Sequence, residues 1–326
     1  MIFVTGGTGF IGSNIVATLN ERGVTDIVIL DSLGHESKWR NIAKRRFYDV
    51  VTPDKIERFL ETAPRAEAVF HMGAISSTTA SDGDEVLRTN FQLSANLWNW
   101  CAQKRTPFIY ASSAATYGDG SNGFVDDESN AALDALRPLN LYAWSKVAFD
   151  RWALERAAAG VAPPQWAGLK FFNVYGPNES HKGDMQSLVA KNTAAVAAGK
   201  TISLFKSHRE GYLDGQQLRD FIYVADCVAT MMWLLDHPDV SGLFNLGTGT
   251  ARSFLDLILA IGAALNKNVD VEYVDMPLSI RDRYQYFTQA DMRKLRGAGC
   301  DIPFYSLEEG VADYVLSYLT QADPYR

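Results

Sequence analysis

Short apolar runs alternate with longer amphipathic stretches in the first half of the sequence, and this alternation constrains the fold more than any motif. The apolar runs read as buried strands at Ile2 to Thr5, Ile27 to Leu30, Ala68 to His71, Phe108 to Ser112 and Leu169 to Phe172. The stretches between them are long enough for helices at Ile11 to Glu21, Lys55 to Glu61, Glu85 to Gln103 and Tyr142 to Ala158. Because each pair of parallel strands needs a crossover helix, the sequence predicts an α/β fold with a doubly wound parallel sheet.

The pattern is less regular after about Phe172. Further elements are predicted as helices at Met185 to Ala198, Cys227 to Leu235 and Phe254 to Leu265, a strand at Leu243 to Leu246, and loops at Asn173 to Asp184 and Lys206 to Gln217. We therefore expect a smaller mixed α/β domain after the first one.

Composition argues against several classes of protein. The chain has 326 residues, of which 47% are apolar and 21% charged, and its net charge of −7 does not suit a nucleic-acid partner. It has neither a signal-like N-terminus nor an unbroken apolar run of about 18 residues, so we expect a cytoplasmic protein without a membrane partner. Its widely spaced cysteines, Cys101, Cys227 and Cys300, suggest neither disulfides nor a metal site.

A glycine-rich turn follows the first predicted strand and opens the first predicted helix. Gly6, Gly9 and Gly12 allow a sharp turn and let the backbone approach a pyrophosphate at the positive end of the helix dipole. Asp31 ends the second strand, 19 residues after Gly12, where a carboxylate would accept hydrogen bonds from the adenosine ribose. The motif therefore predicts a Rossmann-like dinucleotide site. Lys38, Arg40 and Lys55 follow Asp31 closely and could receive a 2′-phosphate, so Asp31 alone does not decide between NAD and NADP.

These motifs lead to a prediction of two partly interleaved domains. The dinucleotide-binding domain is expected to comprise residues 1–171 and about 220–249. The substrate-binding domain is expected to comprise residues 172–219 and about 250–326.

A tyrosine and a lysine lie four positions apart in a predicted helix. Tyr142 and Lys146 therefore share one helix face, where an ammonium group would stabilise a phenolate and make the phenol usable for acid/base chemistry at neutral pH. Ser113 directly follows the preceding predicted strand, Phe108 to Ser112, and offers a hydroxyl to a substrate oxygen. Together these side chains predict hydride transfer on a sugar-like substrate.

With these motifs the sequence resembles the extended short-chain dehydrogenase/reductase family of nucleotide-sugar epimerases and dehydratases. The resemblance implies that Tyr142 is the acid/base, that Ser113 hydrogen-bonds the substrate, and that Lys146 binds the nicotinamide ribose and tunes Tyr142. It further implies cofactor contacts at Phe10, Ile11, Asp31, Ser32, Lys38, Lys55, Met72, Gly73, Ala74, Ile75, Ser76, Asn90, Lys146 and Val174.

Other segments narrow the resemblance to the branch of that family that acts on ADP-activated heptoses. They are His71 to Thr79, Phe172 to Pro177, His181-Lys182-Gly183, and Arg283-Tyr284-Gln285 through Thr288-Gln289-Ala290-Asp291. The resemblance implies inversion of C6 in ADP-D-glycero-D-manno-heptose with bound NADP, a second acid/base at Lys182, and a homo-oligomer, a pentamer by family. The substrate contacts it implies are Ser113, Asn173, Asp184, Lys191, Phe205, Lys206, Ser207, His208, Arg219 and Tyr284.

The sequence departs from that branch at several positions. Met72 stands where the family usually has Glu, Asp184 where it has Ser, and Lys191 where it has His, and the loop before Arg219 is longer. A carboxylate at Asp184 would repel a diphosphate unless it is neutralised. These differences bear on the choice of substrate.

Other interpretations stay open from the sequence. A nucleotide-sugar 4-epimerase or a reductase would use the same Ser113, Tyr142 and Lys146 without needing Lys182. A 4,6-dehydratase is disfavoured, because Ala114-Ala115 replaces the Asp-Glu pair that elimination generally uses. A non-catalytic regulator that binds NADP(H) would have no need of the Tyr142 and Lys146 pair.

Overall fold

The structure is a computed structural model that describes residues 1–34, 37–281 and 284–326. Its strands, labelled β1 to β12 in chain order, are Ile2–Thr5, Ile27–Leu30, Asp49–Val51, Ala68–His71, Phe108–Ser113, Trp166–Phe171, Asn173–Tyr175, Ile202–Phe205, Leu218–Tyr223, Gly242–Leu246, Ala251–Ser253 and Val271–Val274. Its α-helices, α1 to α12, are Phe10–Glu21, Ile56–Thr62, Gly83–Val86, Leu93–Lys104, Asn130–Ala135, Leu141–Ala158, Leu188–Ala197, Val224–Asp236, Phe254–Leu265, Leu278–Arg281, Arg293–Gly297 and Leu307–Tyr314.

The main sheet has seven parallel strands in the order β10-β6-β5-β4-β1-β2-β3. Consecutive residues of a strand point to opposite faces, and Phe3 and Val4 of β1 are both fully buried in separate clusters of the core. Both faces of the sheet are therefore covered, which explains why its strands are continuous apolar runs. This confirms the predicted doubly wound fold.

Two small sheets follow the order β11-β9-β7 and β12-β8. They confirm the mixed character predicted for the second half, while the domain boundaries stay predictions. The loop expected at 173–184 instead contains β7 and a 3₁₀ segment, Ser180–Met185. The helix expected from Met185 begins only at Leu188, because the Ser187 side chain caps it by accepting a hydrogen bond from the Ala190 amide.

Other boundaries differ from the predictions for local reasons. β6 begins at Trp166 and not at Leu169, and it therefore includes Gly168. A Cβ at Gly168 would lie 2.4 Å from the Tyr110 ring, so the strand backbone packs closely against that ring at this glycine. The helix predicted from Glu85 runs from Gly83 to Lys104 through a π-helical stretch, Leu87–Gln92.

The three cysteines are buried free thiols. Among the described residues, no helix has the length and apolar character needed to cross a bilayer.

Candidate active site

The predicted cofactor residues follow neighbouring strands at one edge of the main sheet. The glycine turn follows β1, Asp31 follows β2, Met72 to Ser76 follow β4, and Ser113 ends β5. These strands are adjacent in the order β2-β1-β4-β5 and parallel, so their carboxyl ends meet at one edge. Ligands of doubly wound folds bind in the crevice outside this edge.

The glycine turn is tight enough to require glycine at two of its positions. Gly6 has a φ of +64°, and a Cβ at Gly12 would lie 2.1 Å from the Gly6 carbonyl oxygen. Gly9 precedes α1 and offers no side chain to cap it. The first amides of α1 are thereby available to an anion, which fits the pyrophosphate of a dinucleotide.

Asp31 is bound to the glycine turn and to a lysine. Its Oδ2 accepts hydrogen bonds from the Thr8 amide at 3.0 Å and from the Thr8 hydroxyl. The Lys38 Nζ lies 3.2 Å from Asp31 Oδ1 and also donates to the Ser32 carbonyl. Lys38 therefore offsets the carboxylate charge at the position expected to face the adenosine ribose.

A chain of hydrogen bonds holds the loop that follows β4. The Gly73 amide donates to Thr5 Oγ1, and this hydroxyl contacts His71 Nδ1 at 2.7 Å. His71 Nε2 contacts Ser94 Oγ, whose proton goes to the Asn90 carbonyl. Since Ser94 donates there, it accepts from His71 Nε2–H, which leaves Nδ1 to accept from Thr5.

Asn90 holds the same loop from the other side. Its Oδ1 accepts from the Ile75 amide at 2.8 Å, and its Nδ2 donates to the Ile75 carbonyl and to Ser145 Oγ. Asn90 is fully buried, so its contacts link the loop to α6. Burial, followed by the Lys146 charge, lowers the pKa of His71 to about 3 and keeps this ring neutral.

The structure brings Tyr142, Lys146 and Ser113 close together. The Lys146 Nζ lies 5.9 Å from the centre of the Tyr142 ring and donates to the Ala111 carbonyl at 2.7 Å. Burial lowers the pKa of Lys146 to about 8, although the Asp150 charge partly offsets it. Burial raises the pKa of Tyr142, and Ser113 only partly offsets that increase. The lowered phenol pKa expected from the sequence is therefore not found in this structure.

The sequence analysis missed a buried ion pair that involves Asp150 of α6, the helix that carries Tyr142 and Lys146. Lys170 Nζ is 2.6 Å from Asp150 Oδ2, with side-chain exposures of 3% and 1%. Asp150 also accepts hydrogen bonds from the Tyr110 and Ser112 hydroxyls. Asp150 is four residues after Lys146, hence on the same face of α6, and that spacing was the available signal.

Lys182 lies in the 3₁₀ segment Ser180–Met185 and contacts the start of α1. Its Nζ is 4.9 Å from the centre of the Phe10 ring. Burial lowers the pKa of Lys182; the Glu179 charge opposes this shift and the Lys191 charge adds to it. The segment predicted to supply a second acid/base thus lies directly against the glycine turn.

Arg219 is the most enclosed of the predicted substrate residues. Its guanidinium lies 5.2 Å from the Tyr284 ring centre and 5.5 Å from that of Phe254, and only 6% of the residue is exposed. It donates to the carbonyls of Leu218 and Gln285, and among the described residues it forms no ion pair with the neighbouring Asp220. Asp220 instead accepts hydrogen bonds from the Thr248, Gly249 and Ala290 amides.

The other predicted substrate residues flank this position. Phe205 ends β8 and packs edge to face against Tyr284, with ring centres 6.2 Å apart. The backbone carbonyl of Asp184 accepts from Lys191 Nζ at 2.6 Å. The remaining residues are placed as follows: Asn173 and Val174 in β7, Lys206, Ser207 and His208 in the loop after β8, Ile11 in α1, and Ser32 and Lys55 after β2 and β3. Arg283 lies outside the described residues.

A model of the NAD dependent epimerase/dehydratase family matches residues 2–247, and the chain belongs to this family. It is 49% identical over 334 residues, covering all of both chains, to an ADP-L-glycero-D-manno-heptose-6-epimerase of Fusobacterium nucleatum.

Solved structures of epimerases are also similar to this chain over nearly its full length. The ADP-L-glycero-D-manno-heptose-6-epimerase of Helicobacter pylori is 28% identical, with a TM-score of 0.78 over 96% of this chain and 94% of that one. The UDP-glucose 4-epimerase of Thermus thermophilus in complex with NAD is 27% identical, with a TM-score of 0.72 over 95% of this chain and 96% of that one.

Proposed function

We propose that the protein inverts C6 of the heptose in ADP-D-glycero-D-manno-heptose to give ADP-L-glycero-D-manno-heptose. The full-length similarity to the Fusobacterium nucleatum enzyme carries the proposal. The arrangement of Ser113, Tyr142 and Lys146 at one sheet edge supports it, because that set suits proton transfer at a sugar hydroxyl.

The C6 hydrogen of such a substrate is not acidic enough to leave as a proton, so inversion needs a bound nicotinamide to accept a hydride and return it to the opposite face. The glycine turn at Gly6 to Gly12 and the free start of α1 fit this cofactor. We assign it as NADP, because Lys38 beside Asp31 brings a cation to the ribose position. NAD is the alternative.

Tyr142 serves one face of the substrate carbonyl in this proposal. Its phenolate takes the proton of the C6 hydroxyl during oxidation, while Ser113 donates a hydrogen bond to the same oxygen. Lys146, whose pKa is about 8, stays largely protonated at neutral pH and stabilises the phenolate against the effect of burial. Its other task is to bind the nicotinamide ribose.

Lys182 serves the other face. Burial lowers the pKa of its ammonium, which makes the lysine a better proton donor and acceptor near neutral pH. Arg219 is assigned to the diphosphate, because a guanidinium can bind phosphate oxygens in a fork and no carboxylate occupies it among the described residues. We further propose a cytoplasmic homo-oligomer, a pentamer by resemblance.

The test is conversion of ADP-D-glycero-D-manno-heptose by the purified protein without added cofactor, with the C6 epimers separated by anion-exchange chromatography. We expect the L-glycero epimer, and we expect Tyr142→Phe and Lys182→Met each to lower kcat by about 100-fold or more. Lys200→Met, at an exposed position after α7, is the control and should behave as the native protein.

The outcomes separate the parts of the proposal. No conversion, even with added NADP or NAD, would refute the heptose assignment. Full activity of Lys182→Met would remove Lys182 from the mechanism and favour a 4-epimerase. The nucleotide released on denaturation identifies the cofactor as NADP or NAD.

A further inference from the structure

Two buried asparagines join the start of α1 to the chain just before Lys182. The Asn14 Nδ2 donates to the Phe10 carbonyl at 2.9 Å and to the Pro177 carbonyl at 3.0 Å. The Asn178 Nδ2 donates to Ser13 Oγ at 3.0 Å. Asn14 and Asn178 are 0% and 3% exposed, so water does not compete for these bonds.

Arg326 connects these two asparagines. Its backbone amide donates to Asn178 Oδ1 at 3.0 Å, and its guanidinium donates to Asn14 Oδ1 at 3.2 Å. The same guanidinium donates to Thr18 Oγ1 and to Glu21, both at 2.8 Å. Asn14, Thr18 and Glu21 are spaced by four and three residues along α1, so they form one face that the planar guanidinium bridges.

The segment that carries Lys182 has two more attachments nearby. Ser180 Oγ contacts the Tyr325 hydroxyl at 3.2 Å, and the Tyr325 carbonyl accepts from Lys44 Nζ. His181 Nδ1 lies 3.1 Å from Asn41 Nδ2, which also donates to the Thr8 carbonyl of the glycine turn. The two residues that directly precede Lys182 are therefore both held by distant parts of the chain, and His181 is linked through Asn41 to the glycine turn.

We propose that Arg326, acting through Asn14, is a positioning residue that fixes the place of Lys182 relative to the glycine turn. The inference rests on the proposed function, because Lys182 matters only as an acid/base. Asn14 holds the carbonyl of Phe10, and the Phe10 ring contacts the Lys182 ammonium. Asn14 thus ties the segment that would hold the second acid/base to the start of α1. A displacement of about 1 Å at such a group can cost about 100-fold in rate.

The test compares Arg326→Ala with Arg22→Ala in the full chain. Arg22 is the matched control, because it directly follows α1 and forms an ion pair with Asp236 of α8 at 3.0 Å, but is 41% exposed. We expect Arg326→Ala to lower kcat for the heptose by about tenfold or more, with the KM and the affinity for NADP changed less than about twofold. Arg22→Ala should match the native protein.

Two more conservative variants should lose less kcat than Arg326→Ala. Arg326→Lys keeps a charge for Glu21 but cannot bridge Asn14, Thr18 and Glu21 together, so it should restore part of kcat. Tyr325→Phe removes only the hydroxyl at Ser180 and should give a smaller loss. If Arg326→Ala does not fold, Arg326→Lys and Tyr325→Phe test the proposal in its place. A kcat equal to that of the native protein in both variants would overturn it.

Hydrogen exchange supplies a readout that does not depend on turnover. Amides of residues 178–187 should exchange faster in Arg326→Ala than in the native protein and in Arg22→Ala, whereas those of β1 should not change. If the native protein does not convert the heptose but Arg326→Ala still shows this local change in exchange, the proposed function is refuted and the positioning role is supported. Native exchange at 178–187, or a uniform increase over the chain with weaker NADP binding, would overturn the positioning role.

Discussion

Replacing Lys170 by methionine is expected to lower the free energy of unfolding by about 3–5 kcal/mol, the usual cost of removing one partner of a buried ion pair. The pair is close, with 2.6 Å between Lys170 Nζ and Asp150 Oδ2, and both side chains are at most 3% exposed. The two hydroxyls that remain on Asp150, those of Tyr110 and Ser112, are neutral, and the Lys146 charge acts on Asp150 without an ion pair between them among the described residues. Methionine fills much of the lysine volume, so the loss reports the uncompensated carboxylate and not a cavity.

The measurement is urea unfolding at pH 7, without cofactor, of the native protein and three variants. The double variant Lys170→Met with Asp150→Asn should recover most of the loss, because it removes the buried charge as well as its partner. Arg22→Met, which breaks the exposed pair with Asp236, should cost only about 0–1 kcal/mol.

Two results would refute this reasoning. One is a loss for Lys170→Met no larger than that for Arg22→Met, which would mean that the buried carboxylate is stabilised by other groups. The other is a double variant as unstable as Lys170→Met, which would assign the loss to packing.

Two further predictions concern pH. The folded pKa of Lys146 lies at about 8 against 10.5, so the unfolded chain binds more protons between these values and the unfolding free energy should rise there by about 3 kcal/mol. Lys146→Met should lack this rise in urea unfolding of the cofactor-free protein, and an equal rise in both proteins would contradict the assignment. The folded pKa of His71, about 3 against 6.5, predicts stability that is complete above pH 6.5 and falls by about 4 kcal/mol towards pH 3. His71→Gln should flatten that acid limb, and an unchanged limb would show that His71 does not titrate on unfolding.

The sequence determined the class of fold and the cofactor edge. The first, second and fourth strands were predicted with the bounds that the structure has, since strands covered on both faces are uninterrupted apolar runs between turns. Gly6 and Gly12 were recognisable because the turn leaves no room for a side chain. Tyr142 and Lys146 could be paired because helical spacing alone places them on one face.

Strands of the smaller sheets escaped prediction. β9, Leu218–Tyr223, starts with Leu-Arg-Asp and has no apolar alternation, because Arg219 and Asp220 are both buried and are satisfied by distant groups. A buried polar residue looks like a surface residue in a sequence until its partner is known.

Tertiary structure alone decided which polar side chains meet. Lys170 pairs with Asp150 across 20 residues, and Arg326 contacts Asn14 across 312. Local periodicity reports the face on which a side chain lies but not the distant segment that packs there. The class of chemistry was therefore readable from the sequence, whereas the buried ion pair beneath Tyr142 and the contacts that hold the Lys182 segment required the packed chain.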